Sequence, residues 1–146
     1  MAPSDKVNEQ TKNEWNTLGF YYDCDDDKGF WQIIGSKEGI LKFCKLLEDY
    51  SNNGSKQNIS EDEHFGPYSY LKFMTWNEPK IAKREICGRQ SDFKILSDII
   101  KHRLKTSNEN FQVDKEYSNN NEYRIKFIIK EESFEPASAD SQLKKS

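Results

Sequence analysis

The sequence predicts an α+β fold: one mostly antiparallel sheet carrying two helices on one face, built from two β-α-β half-repeats. Three observations carry this. The run FWQIIGSKEGILKFCKLLEDY, Phe30 to Tyr50, reads as a short strand, a glycine turn and an amphipathic helix. A second copy, REICGRQSDFKILSDIIKHRL, Arg84 to Leu104, follows 53 positions on, and Gly35 falls on Gly88. Each unit is then followed by an aromatic and β-branched run with a period near two, YSYLKFMTW and EYRIKFIIK.

The helical copies match position by position. Ile40 falls on Phe93, Phe43 on Leu96, Leu46 on Ile99 and Leu47 on Ile100. These steps of three and four trace one helical face. Gly35 and Gly88 stand where strand turns into helix, a turn that a residue without Cβ makes at little steric cost. Ser36 and Ser91 follow as candidate N-caps. The second helix ends in Lys101, His102, Arg103 and Lys105, which suits the negative end of its dipole. The first ends in Glu48 and Asp49, which does not. Two strand–helix–strand halves give the split βαβ arrangement of ferredoxin-like folds.

The other segments fall into place around these units. Residues 1–15 are polar and read as a disordered tail, 16–133 as a single α+β domain, and 134–146 as a second disordered tail. GFYYD is a strand candidate, joined through CDDDKG to Phe30–Ile34 as a hairpin. SNNGSKQNIS is a flexible loop, EDEHFGP a second one, and Gly66-Pro67 leads into the YSYLKFMTW strand. Asn77-Glu78-Pro79-Lys80 reads as a turn that sets this strand antiparallel to Arg84–Cys87. Phe111 to Asp114 is a short extra strand, and Asn119-Asn120-Asn121 is a turn. The expected core is Ile33, Ile40, Phe43, Leu46, Leu47, Phe73, Ile86, Phe93, Leu96, Ile99, Ile100, Ile125 and Phe127.

Composition limits the function classes. The 146 residues carry a net charge of −3, which argues against a general nucleic-acid binder. No apolar run is long enough for a membrane span, and Met1 to Glu14 lacks the apolar stretch of a signal peptide. The hydrophobic fraction is 34% while aromatics reach 13%, which points to a small core built on large rings. Cys24, Cys44 and Cys87 are odd in number and lack metal spacing, so Cys44 and Cys87 read as buried thiols in a reducing cytoplasm.

Motifs for chemistry are sparse. His64 lies among Glu61, Asp62 and Glu63 and is weighed as a general base or metal ligand against a strand anchor in a solvated acidic loop. Asp23, Asp25 and Asp27 begin a calcium-loop pattern but lack its glycine and distal glutamate. Cys24 beside three aspartates is a poor nucleophile, because anions raise a thiol pKa. There is no nucleophile elbow, phosphate loop or dinucleotide fingerprint. The reading is therefore non-catalytic, with no metal and no cofactor. What remains is a surplus of rings: Tyr21, Tyr22, Trp31, Tyr68, Tyr70 and Trp76 exceed what one small core holds. Aromatic anchors rimmed by charge mark protein interfaces. The candidate partner-binding residues are Tyr21, Tyr22, Asp25, Asp26, Asp27, Trp31, Glu61, Asp62, Glu63 and His64, an acidic aromatic surface suited to a basic partner.

The run IIGSKEGILKFCKLL, a loop, and then EDEHFGPYSYLKFMTW resembles the small immunity proteins of bacterial polymorphic toxin systems. The matching positions are Gly35, Glu38, Gly39, Ile40, Glu63 and His64, within residues 30–76. The sequence departs from that pattern in having Ile40 for Leu, no second histidine soon after His64, and the whole second half. The resemblance implies a cytoplasmic protein, monomer or homodimer, that binds and neutralises a cognate toxin effector with a basic surface. The competing expectation is a small-molecule-binding or self-associating regulatory module.

Overall fold

The structure is a computed structural model that describes residues 5–107, 109–141 and 143. The chain opens with helix α1, Asp5–Leu18. Thr11 and Trp15 are buried and Leu18 partly buried, a four-then-three spacing that turns one narrow stripe inward. Gly19 ends the helix at φ +92°, its amide donating to the Trp15 carbonyl at 3.0 Å.

Strands β1, Tyr21–Asp25, and β2, Phe30–Gly35, form the expected hairpin, with Tyr21 opposite Ile34 and Asp25 opposite Phe30. Helix α2, Lys37–Ser51, begins at Ser36, whose Oγ accepts the Gly39 amide at 3.1 Å. Strands β3, Asp62–Phe65, and β4, Leu71–Thr75, form a second hairpin, and β5, Lys80–Ala82, with β6, Glu85–Gly88, a third. Helix α3 is Gln90–Thr106. Its first turn is capped by Asp92, whose carboxylate accepts the Arg89 amide at 2.8 Å, and not by Ser91. A two-residue strand β7, Phe111–Gln112, the turn of helix α4, Asp114–Tyr117, and strand β8, Arg124–Ile129, complete the described elements.

The repeat is therefore a β-β-α-β-β unit, and the two copies exchange strands. One sheet runs β1-β2-β8-β7 and the other β3-β4-β6-β5. Swapping the halves, β1 for β5 through β4 for β8, turns one order into the other. The parallel joins match as well. Ile33 faces Phe127 and Gly35 faces Ile129 in the first sheet; Ile86 faces Phe73 and Gly88 faces Thr75 in the second. The expected single, largely antiparallel sheet is thus two mixed sheets. The strand before Arg84–Cys87 is its parallel neighbour, because β5 intervenes and takes the antiparallel place.

Helices α2 and α3 pack on each other in opposite directions. The Gln90 side-chain Nε2, at the start of α3, donates to the Tyr50 carbonyl in the last turn of α2 and to the Asn53 carbonyl just beyond it, at 3.0 and 2.6 Å. Glu48, mismatched to its own helix dipole, meets Lys101 at 2.5 Å and accepts the Ser97 hydroxyl at 2.6 Å. The Lys101 ammonium, then Ser97, hold the Glu48 carboxyl below its usual range. Phe43 of α2 lies 6.0 Å from the Phe73 ring and 5.6 Å from the Phe127 ring, so one side chain packs against both sheets. One hydrophobic cluster takes in α1, α2, α3 and both sheets.

The expected core residues are all inside, except that Leu46 and Ile99 are only partly buried. They are the same position of the repeat. Gly35 and Gly88 have no positive φ. Their need for glycine is room: a Cβ on Gly88 would lie 2.5 Å from the Tyr117 hydroxyl, and one on Gly35 3.3 Å from Phe20 Cβ. The tails differ from expectation too. Residues 5–15 are helical, and Pro136–Ala139 forms a 3-10 turn that leads Asp140 onto α1. Residues 1–4, 108, 142 and 144–146 lie outside the described part. No helix among the described residues is long and apolar enough to cross a membrane.

Since each sheet needs a hairpin from each half, neither half closes alone. The connection at Asn77 and Glu78 is exposed. Fragments 1–78 and 79–146 are expected to co-purify and melt together when co-expressed, and to show no cooperative melt separately. A cooperative monomeric melt of either fragment would contradict the exchange.

Candidate functional site

The sequence-predicted surface resolves into two places. Four of its residues, Tyr21, Tyr22, Asp26 and Trp31, come together with residues of α1, the 66–70 loop and the C-terminal turn around a cleft of about 380 Å³. Glu61, Asp62, Glu63 and His64 lie at and along β3 and do not line it.

Aromatic rings build the wall. Trp15 of α1 packs on Tyr21 and Tyr22 of β1, with centroids 4.7 and 5.0 Å apart. Tyr68 stands 6.4 Å from Trp15, and Tyr70 5.8 Å from Tyr68. The rings divide by exposure. Tyr22 and Trp31, expected on the interface, are buried at 4% and 1%. The Trp31 indole N–H donates to the Ala82 carbonyl at 3.0 Å and so fastens β2 to the end of β5. The Tyr22 hydroxyl donates to the Pro67 carbonyl and accepts the Tyr70 amide at 3.2 Å. Both rings are structural. Tyr68 and Tyr70 are the exposed ones, at 42% and 67%.

The backbone that presents them is strained. Gly66, Tyr68 and Ser69 all have positive φ, 78°, 66° and 54°. A left-handed tyrosine or serine costs of order 1 kcal/mol or more and persists only where neighbours impose it. Here the Tyr22 hydroxyl holds one side of the loop. On the other, His64 Nδ1 lies 2.8 Å from the Ser69 carbonyl, so Nδ1–H donates to it. His64 therefore acts as an anchor for the loop. Its Nε2 is 4.0 Å from Asp62, which itself pairs with Lys72 at 3.5 Å.

Carboxylates rim the cleft. Asp140 accepts both the Trp15 indole N–H and the Tyr68 hydroxyl at 2.8 Å, tying the C-terminal turn to the wall. Asp26 accepts Tyr123 Oη at 3.0 Å and Arg84 at 3.2 Å. The Tyr123 bond, and then Arg84, hold its carboxyl below the usual range. Asp25 is spent on the hairpin turn, its Oδ1 accepting the amides of Asp27 and Lys28 at 3.1 and 3.0 Å. Asp27 is exposed.

Tyr21, Asp23, Cys24 and Tyr68 in the wall favour their protonated forms, whereas Asp26 favours its ionised one. Burial, then Asp23 and Asp140, push the Tyr21 hydroxyl up to about 12. Burial, then Asp25, raise the Asp23 carboxyl. Burial pushes the Cys24 thiol up to about 11, which leaves it a poor nucleophile. Burial and the bond to Asp140 raise Tyr68. The cleft disfavours further negative charge. Among the described residues, no group of three or more His, Cys, Asp and Glu is placed to hold a metal ion. The Asp23–Asp25–Asp27 pattern runs along the end of β1 into its hairpin turn.

Sequence reasoning counted Tyr68 and Tyr70 among the surplus rings but did not place them in the site. Trp15, Arg84 and Asp140 were missed. Trp15 sat in a polar segment read as a tail, and nothing local marks Asp140 as its partner. The chain matches no family model, no curated protein and no solved structure.

Proposed function

We propose that this is a binding protein whose working surface is the aromatic cleft, and that it takes a basic segment of a protein partner there. The observation that carries this is the strained 66–70 loop, which spends backbone energy to hold Tyr68 and Tyr70 in water beside an acidic rim. Exposed rings in a cluster, with charge around them, are what interface anchors look like. The partner class comes from the motif resemblance through Gly35, Glu38, Gly39, Ile40, Glu63 and His64. On that reading the partner is a toxin domain, and binding neutralises it without chemistry by this chain.

The test is a pull-down from lysate of the source cells with the wild type and with Tyr70→Ala. A single stoichiometric basic partner is expected, retained far less by the variant at an unchanged melting temperature, and toxic when expressed without this chain. Equal retention by both proteins would remove the cleft from the interface. A bound partner that is harmless on its own would remove the toxin assignment.

A further inference from the structure

We propose that the cleft is a cage for one basic side chain of the partner, seated over the exposed rings of Tyr68 and Tyr70 with Asp23 as its counter-charge. This rests on the binding reading above and names the chemistry at its centre. A cation is attracted to the faces of aromatic rings, and a carboxylate beside the rings adds a directional partner. Both elements are present. Tyr68 and Tyr70 lie 5.8 Å apart and are tilted by 36°, with much of both side chains exposed.

Asp23 is the unusual acid. The other carboxylates of this region have work to do: Asp26 holds Arg84, Asp25 holds the turn, and Asp140 holds Trp15 and Tyr68. Among the described residues no cation pairs with Asp23, which lines the cleft from β1. Some acids outside the cleft are matched within their own helix, as Asp49 is with Lys45 and Asp98 with Lys94. Arg84 is the one described cation lining the cleft, and Asp26 holds it at 3.2 Å. A partner's guanidinium or ammonium supplies the missing charge. The raised Asp23 and Tyr21 groups fit this: burial first, and neighbouring carboxylates second, disfavour their anions, and an arriving cation offsets both.

The experiment uses the full chain and a pentapeptide probe, Gly-Gly-Arg-Gly-Gly with blocked ends, followed by amide and indole NMR shifts. Its citrulline twin, of the same shape without the charge, is the control, and tetramethylammonium is a third probe. The arginine peptide is expected to shift the Trp15 indole and the amides of residues 66–70, and the citrulline peptide to leave them in place. Asp23→Asn and Tyr70→Ala should each weaken binding about five-fold. Asp98→Asn, which removes the same charge from α3, should not. If Asp98→Asn weakens binding equally, the attraction is only net charge and the cage is wrong. If tetramethylammonium shifts the cleft and the arginine peptide does not, the occupant is a free cation and the docking proposal falls. Failure of the cage is distinct from failure of the binding reading: a partner still lost with Tyr70→Ala but kept with Asp23→Asn sinks the cage alone.

Discussion

Phe73→Ala is expected to remove about 4 kcal/mol of folding stability, the cost of emptying a fully buried phenylalanine site. Phe73 has no exposed surface. Its ring stands 4.8 Å from Phe65, 5.5 Å from Phe93, 5.9 Å from Tyr50 and 6.0 Å from Phe43. Those neighbours come from β3, both central helices and no single local segment, so the hole cannot be closed by one side chain moving. Domain stabilities are about 5–15 kcal/mol, so the variant sits near the edge of folding. A urea titration is the measurement, with Ile59→Ala as the comparison. Ile59 is 52% exposed, and its loss should change stability by no more than about 0.5 kcal/mol. A Phe73→Ala loss below about 1 kcal/mol would mean that the ring cluster collapses freely, against close packing of interiors. The function should suffer with the fold. Phe73 fixes β4, and the 66–70 loop with Tyr68 and Tyr70 hangs between β3 and β4.

The repeat was legible because it is written in local spacing. A glycine and four apolar positions recur at one offset, and the structure keeps them in equivalent places. Even the error was regular, since Leu46 and Ile99 lie at the same edge of the helical face. Strand exchange was not legible. Which hairpin closes which sheet depends on contacts between β2 and β8, or β4 and β6, that no local pattern encodes. The three residues of β5 were too few to show a period, so Lys80 read as the end of a turn, Ile81 and Ala82 were given no element, and the next pairing came out antiparallel. Helix α1 was hidden because its inward stripe of Thr11, Trp15 and Leu18 is too sparse to show a period, and the carboxylate that receives Trp15 is Asp140, at the far end of the chain. The ring surplus was readable, but its sorting was not. Tyr22 and Trp31 are inside because each polar tip finds a backbone carbonyl. Tyr68 and Tyr70 are outside because the left-handed loop turns them there.

Gly39→Ala carries the second large effect, and its sign runs against propensity. In an exposed helix, glycine to alanine is worth roughly 1 kcal/mol in favour of alanine. At position 39 a Cβ would lie 2.1 Å from the Gly19 carbonyl oxygen. That oxygen belongs to the backbone between α1 and β1, so it cannot swing aside as a side chain would. Either α2 lifts off or the Gly19–Phe20 segment moves, and Phe20 is fully buried against Phe43, 5.3 Å away. The expected outcome is a loss of about 2–3 kcal/mol, as in other overpacked sites. Gly54→Ala is the control, because its nearest neighbour would be Gln57 Nε2 at 3.8 Å. The repeat supplies the reason for the asymmetry. The equivalent position in α3 is Asp92, which carries a full side chain and caps its own helix through the Arg89 amide. In α2 the cap is Ser36, and position 39 is left bare for the incoming chain from α1. Because Tyr21 follows directly on that segment, the variant should weaken the cleft as well as the fold. A Gly39→Ala protein with an unchanged or higher urea midpoint would show that α1 and β1 are free to shift, and that the wall of the cleft is not held from beneath.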